Sequence, residues 1–385
     1  MKKRYRFALI AALIAVIVIA VRTFQSSGDT LENLQSQEGV DAQSEAQLTL
    51  KDVTLEQPDE SGGLLWRVKA KAASYSPDRR LANLKSPEGE LFQDGKLIYQ
   101  VKADKGEIRD NGKSIFLQGN IVATNPDNQL TLKGNSLEWT PEEDLLLVRD
   151  SISGAHPQLK ATAQEARLFN KTQRLELIKG VVAITQQEPW LGFESEKLVL
   201  LLAQEKLETD TPLKVERYVS KTDKTVTDRL VGQQGEFDLV KQQATLRQQV
   251  QLNALKIPLQ TKSDIVVWAV KDGTVQIDKP VQIQHPKRKL MANADRGRLN
   301  LNTQIMVLNG NVRTVSKNQQ SLLLADQLTW NTQTQDVDGK GNIRYRQRDP
   351  VATVNGDRAV GNLDKQTVVV TGKNVVTEIV PLGIE

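Results

Sequence analysis

The chain of 385 residues has no cysteine, only two histidines and 4% aromatic residues. Without cysteine there is no disulfide framework, no thiolate nucleophile and no sulfur-ligated metal. His156 and His285 stand far apart, and each is followed by proline (Pro157, Pro286). No H-x-x-x-H or similar ligand spacing exists, and both histidines are expected in solvated turns. There is no G-x-S-x-G, no P-loop and no Rossmann glycine set, and no metal or cofactor is expected. The chain also lacks a basic face. Its formal charge is +4, but Lys2, Lys3, Arg4, Arg6 and Arg22 all precede the first acid, Asp29. The remainder is near neutral with mixed signs, which does not suit a nucleic-acid binder.

The N-terminus carries the one long hydrophobic run. Residues 7–21 read FALIAALIAVIVIAV, after a basic flank and before a stretch with acids but no Lys or Arg until Lys51. That charge asymmetry places the N-terminus in the cytoplasm and the body outside it. With Tyr5 and residues 22–24 at the interfaces, the run approaches the length of a single transmembrane helix. A cleaved signal peptide is the competing reading, but no clean small-x-small site follows. Residues 1–24 are therefore expected to be a basic flank and anchor. Residues 25–47, rich in Gln, Ser and Glu, are expected to be a flexible linker.

The body is a repeat. Residues 103–139 recur without a gap at 294–330, carrying L-x-G-N-(I/V) at 117–121 and 308–312 and tryptophans at Trp139 and Trp330. This long match resolves into two alternating units. Their starts fall at Ala70, Ala103, Gly134, Ala163, Ser195, Gly232, Ser263, Ala294, Ala325 and Gly356, and from Gly232 onward every step is 31 residues. A regular period of this size marks a repeat architecture.

Within each unit the pattern has period 2, as in Ile115, Leu117, Gly119, Ile121 and Ala123. Asp-Asn-Gly, Asn-Pro-Asp-Asn and Lys-Asp-Gly clusters separate the runs. The expectation is an all-β body of about ten units and about twenty strands, extended like a solenoid as two stacked faces around an apolar trough. Residues 196–206 could pass for a helix, but they keep the register of a strand unit. The widest step, between Ser195 and Gly232, contains the charged run 214–229. It suggests two tandem lobes, 48–215 and 216–385, or else a long loop in one continuous trough.

The recurring acids Asp104, Asp264, Asp295, Asp326 and Asp357 are too sparse for a calcium cage and are expected to cap turns. Gly119 and Gly310 are expected to serve a bulge or a close backbone approach. Trp139, Trp268 and Trp330 are expected in the core.

These residues carry a family resemblance. A-D-x-(G/A)-x-(I/L), then L-x-G-N-V, then D-x-L-x-W resembles the repeat of the LptA/LptC (OstA-like) lipopolysaccharide-transport superfamily. The N-terminal anchor before such a body is similar to LptC. The resemblance covers roughly residues 48–385. It implies a V-shaped β-jellyroll (β-taco) without catalytic activity, holding lipopolysaccharide acyl chains in its trough at the periplasmic side of the inner membrane. Implied partners are the LptB–LptF–LptG ABC transporter and LptA, or an LptA-like jellyroll joined by edge-strand pairing. The usual LptC body is one lobe of about half this length, so this chain looks like the longer LptC-like proteins such as those of cyanobacteria.

The trough-facing candidates are Ile115, Leu117, Ile121, Leu130, Leu132 and Trp139, with Met306, Leu308, Val312, Leu323 and Trp330 as their repeats. The same residues could fill a closed core. Two other functions fit the pattern. One is a structural adaptor of the cell envelope that binds no lipid. The other is a soluble exported glycan-binding or hydrolytic β-solenoid.

Overall fold

The computed structural model describes residues 48–59, 62–77, 80–349, 351–373 and 375–379. The expected anchor and linker lie outside them. The described residues form 28 strands, joined by short turns, in one continuous antiparallel sheet. The all-β expectation holds, and residues 196–206 are indeed the end of the strand Leu191–Leu201 and the turn Leu202–Gln204 with its flanks. The two stacked faces, however, belong to a single sheet creased lengthwise.

The crease follows from the L-x-G-N-V element. Ser114–Thr124 pairs with Thr131–Thr140 along its length, except for a break between Gln118 and Ile121. In that break Gly119 and Asn120 both take positive φ, +80° and +46°. Two left-handed residues in succession turn the strand sharply, and glycine adopts that conformation at little cost. Gly310-Asn311 and Gly341-Asn342 do the same in later strands. Where Gly-Asn is absent, Asp150-Ser151 and Gln248-Gln249 supply the positive φ instead.

The crease divides each long strand between two arms. The first half of Ser114–Thr124 pairs with Lys105–Arg109, and the second half with Lys96–Lys102. One sequence unit therefore traces two strand segments on the first arm, crosses the crease, and traces two on the second.

The recurring aspartates lie along this crease. Asn120 Nδ2 donates to Asp104 Oδ2 at 2.8 Å, and the pairs Asn311–Asp295 and Asn342–Asp326 repeat the bond. Asp104, Asp295 and Asp326 thus tie neighbouring strands together through the crease asparagines, while Asp357 accepts from the Lys373 backbone N–H, in keeping with the capping expectation. The glycine is needed twice over at Gly310. A Cβ there would lie 2.4 Å from Asp295 Oδ2, besides facing the positive φ.

Alternation does the rest. Leu117 faces Leu137 and Val148 across the first arm, while Ala123, Leu132 and Gly154 align on the second. The apolar faces of the arms meet as one core running from Trp66 to Ala359. The strand Leu213–Tyr218 runs through position 215/216 and pairs on both sides, with Leu191–Leu201 and Val226–Gly232.

Candidate functional site

Ten of the eleven trough-facing candidates are buried. They are Ile115, Leu117, Ile121, Leu130, Leu132 and Trp139 in the first copy, and Met306, Leu308, Val312 and Trp330 in the second. Leu323 is half-buried. The two copies differ in what surrounds them. Leu132 is 0% exposed inside a filled core. Leu308, Leu323 and Trp330 instead line an apolar cleft near the C-terminal end, about 750 Å³ including its open mouth. Across from them stand small residues, Ala292 and Thr314 on one arm and Ala359 and Gly361 on the other. Earlier in the second arm's inner column the places of Ala292 and Thr314 are held by Phe193, Leu230 and Leu252, all fully buried. The same column also carries Gly154, Ala161 and Ala183 where the core is filled, so the cleft coincides with small residues on both arms at once, Ala292 and Thr314 facing Ala359 and Gly361.

The cleft contains two buried polar atoms without a hydrogen-bond partner, Thr314 Oγ1 and Trp330 Nε1. An unpartnered buried polar group costs about 1–3 kcal/mol. A ligand with an ester, amide or hydroxyl group would satisfy them.

Opposite the crease, the tips of the two arms meet through single polar contacts. Gln158 Nε2 donates to Glu205 Oε2 at 2.6 Å, and Gln242 Nε2 donates to the Glu188 carbonyl at 3.0 Å. The Asn170 amide bonds Gln93, and Trp66 Nε1 donates to the Gly112 carbonyl at 3.1 Å. Over the cleft, Arg288 Nη2 reaches Asp364 Oδ1 at 2.6 Å. The exposed contacts among these, Gln158–Glu205, Gln242–Glu188 and Arg288–Asp364, contribute little each, so the mouth is held there by weak, separable links.

Midway along, a largely buried ion pair on the second arm's inner face stands against the first arm. Arg217 Nε donates to Asp228 Oδ2 at 2.8 Å, Thr227 Oγ1 donates to the same oxygen at 2.7 Å, and the guanidinium lies 5.5 Å from the Trp268 ring centre. Asp228 is buried on the inner face of the second arm, and Trp268 comes from the first. The charged run 214–229 is therefore partly interior, beyond what its composition suggested.

The histidines also depart from expectation. His285 ends the strand Val281–His285 facing inward, buried 5.8 Å from Trp330. Its Nδ1 accepts from the Arg288 backbone N–H at 3.3 Å, so the following Pro286 starts a turn that the histidine caps from inside. Burial, with Arg288 and Lys287 nearby, holds the imidazole below its ordinary value. His156 is half-buried, and burial lowers it as well. No group of three or more His, Asp or Glu side chains among the described residues is placed to hold a metal ion.

With this geometry in view, comparison with known proteins is informative. Residues 7–147, 148–254 and 262–378 each match the family described as lipopolysaccharide-assembly, LptC-related. The chain belongs to this family. The match recurs along nearly the whole length, as in a long multi-lobe member. No curated protein matches the chain. Membership makes the protein a component of lipopolysaccharide transport at the cell envelope, in a transport and structural family that is not a known enzyme family.

The tip contacts were not legible in the sequence. Their partners lie between 46 and 77 positions apart, in turns whose polar composition is ordinary. The only available signal was the charged run 214–229.

Proposed function

We propose that the chain is an inner-membrane-anchored, periplasmic component that takes lipopolysaccharide from the LptB–LptF–LptG transporter and carries its acyl chains along the trough. LptC-family membership and the apolar cleft lined by Leu308, Leu323 and Trp330 support this reading. An acyl chain in water costs about 0.8 kcal/mol per CH₂, and a continuous apolar interior removes that cost without covalent chemistry. Thr314 Oγ1 and Trp330 Nε1 suit the ester, amide or hydroxyl oxygens that acylated glycolipids carry near the chain.

The final strands Thr367–Thr371 and Val376–Ile379 leave Val369 and Val376 about 60% exposed on an unpaired edge. An LptA-like jellyroll would join there by strand addition. We assign residues 1–24 to the anchor, 25–47 to a linker, and 48–215 and 216–385 to two lobes.

A second reading, a closed adaptor that binds no lipid, is favoured by one observation. The trough is filled around Leu132, Leu137 and Val148.

Quenching of tryptophan fluorescence by lipopolysaccharide spin-labelled in its acyl chains separates the two. The lipid-carrying reading expects quenching in the full-length protein, most of it lost in Trp330→Phe. No quenching, or quenching unchanged by that substitution, would favour the adaptor.

A further inference from the structure

The outer surface of the second arm near the C-terminal end gathers four arginines on two strands. In the strands Ile305–Ser316 and Asp336–Arg348, residues Arg313, Arg344, Arg346 and Arg348 point away from the trough and are exposed. None of the four has a carboxylate within ion-pair distance among the described residues. Earlier on the same outer face Lys214 is matched to Glu194 and Arg229 to Glu216, both at 2.6 Å, and Lys133, Lys160 and Lys262, unmatched among the described residues, stand singly.

The arginines are interleaved with half-exposed apolar side chains. Leu324 lies in register between Arg313 and Arg344, and Met291, Val315 and Leu322 lead up to Arg346. Strands lie about 4.8 Å apart, so Arg313 and Arg344 are about 10 Å apart across Leu324. The bordering crease acids Asp295 and Asp326 are already engaged by Asn311 and Asn342.

We propose that this outer face, separate from the trough, docks the acidic surface of a partner protein. Arginine and methionine around an apolar centre are the composition of a protein interface core. Among Arg, Leu, Val, Met and Thr this face carries no Trp or Tyr, the residues that anchor proteins at a membrane surface. Arg344, Arg346 and Arg348 project from one strand at about 7 Å intervals, with Arg313 about 10 Å away across Leu324, a row of cations spaced like alternate side chains of a partner strand. A rigid partner with carboxylates at matching intervals satisfies all four and covers Leu322 and Leu324.

The test places a photo-reactive benzophenone side chain at Thr353, the register neighbour of Arg346, in the full-length chain in its own cells. Mass spectrometry should map the adduct to an Asp/Glu-rich protein segment. Arg344→Glu with Arg346→Glu should lower the yield at least about tenfold, and converting the mapped acids to Lys should restore it. The same probe at Val182, outward on the same arm where cations are matched, should give no such adduct. The double variant changes only exposed side chains, and an unchanged urea midpoint verifies that it folds. A lipid adduct, an adduct indifferent to charge reversal, or no adduct would each overturn the proposal.

Discussion

The middle of the trough and its C-terminal end are built from the same repeat but differ in what the repeat encloses. In the middle, Phe193 packs edge-on to Phe237 with ring centres 5.0 Å apart, and Trp268 is 0% exposed. Arg217, paired to Asp228 on the neighbouring strand, stands against Trp268 of the other arm, and the arginines from Arg109 to Arg247 all lie in ion pairs. Beyond Leu290 both inner faces carry small residues, Leu323 and Tyr345 are only half-buried, and Arg313, Arg344, Arg346 and Arg348 on the second arm's outer face have no ion pair among the described residues. Both regions cross the crease through two successive positive-φ residues, Gln248-Gln249 in the middle and Gly310-Asn311 at the end. A repeat thus sets the frame, and the size of a few inward side chains decides whether a segment is core or cleft.

Substitutions can break that contrast. Trp268→Ala should lower the unfolding free energy by about 4 kcal/mol, as expected for emptying a filled core, and Trp330→Ala by roughly half as much because part of its ring already faces the cleft. Urea titration of both variants measures this, and equal losses would mean that the cleft is packed as tightly as the middle.

Arg217→Met should cost about 3 kcal/mol by leaving the Asp228 carboxylate buried and unpaired. Combining it with Asp228→Leu should return stability close to the parent. A double variant as weak as the single one would show that the pair does more than offset its own buried charges.

His285 sharpens the comparison through pH. Its imidazole is held below its ordinary value in the folded state, so protonation opposes folding. Stability from this site is fully present above the unfolded-state value of about 6.5 and is lost as pH falls through the lower folded value. His285→Gln should therefore flatten the decline of the urea midpoint between about pH 7 and about pH 5. An unchanged slope would rule out His285 as its source.

The smallest effect is expected at the mouth. Arg288→Ala should change stability by less than about 1 kcal/mol, because the Asp364 side of the pair is largely exposed. It should nonetheless raise the binding of an apolar fluorescent dye to the cleft. Unchanged dye binding would mean that the tips do not restrict entry.

Much of the frame could be read before any coordinates. The alternation of Ile115, Leu117, Ile121 and Ala123, with its recurrence 191 residues later, specified strands, inward faces and an all-β body. Gly119 and Gly310 were legible as special backbone positions, because the pattern leaves them a strand place that a side chain would normally fill. The role of Asp104, Asp295 and Asp326 was not legible, since an acid 16 positions before an asparagine resembles any turn residue until the crease brings the two together. His285 was misread for a related reason. A following proline suggests a solvated turn, but here the strand ends facing inward and the turn begins one residue later. The difference between filled core and open cleft was also hidden. It depends on Ala292, Thr314, Ala359 and Gly361, which meet only across the trough.

The central claim is that acyl chains occupy the trough at its C-terminal cleft. The most direct measurement compares photo-crosslinking in cells from Leu323, which faces the cleft, with that from Leu324, its neighbour on the outer face. The account predicts a lipopolysaccharide adduct at position 323 and none at 324. Equal capture at both positions, or none at 323, would contradict it.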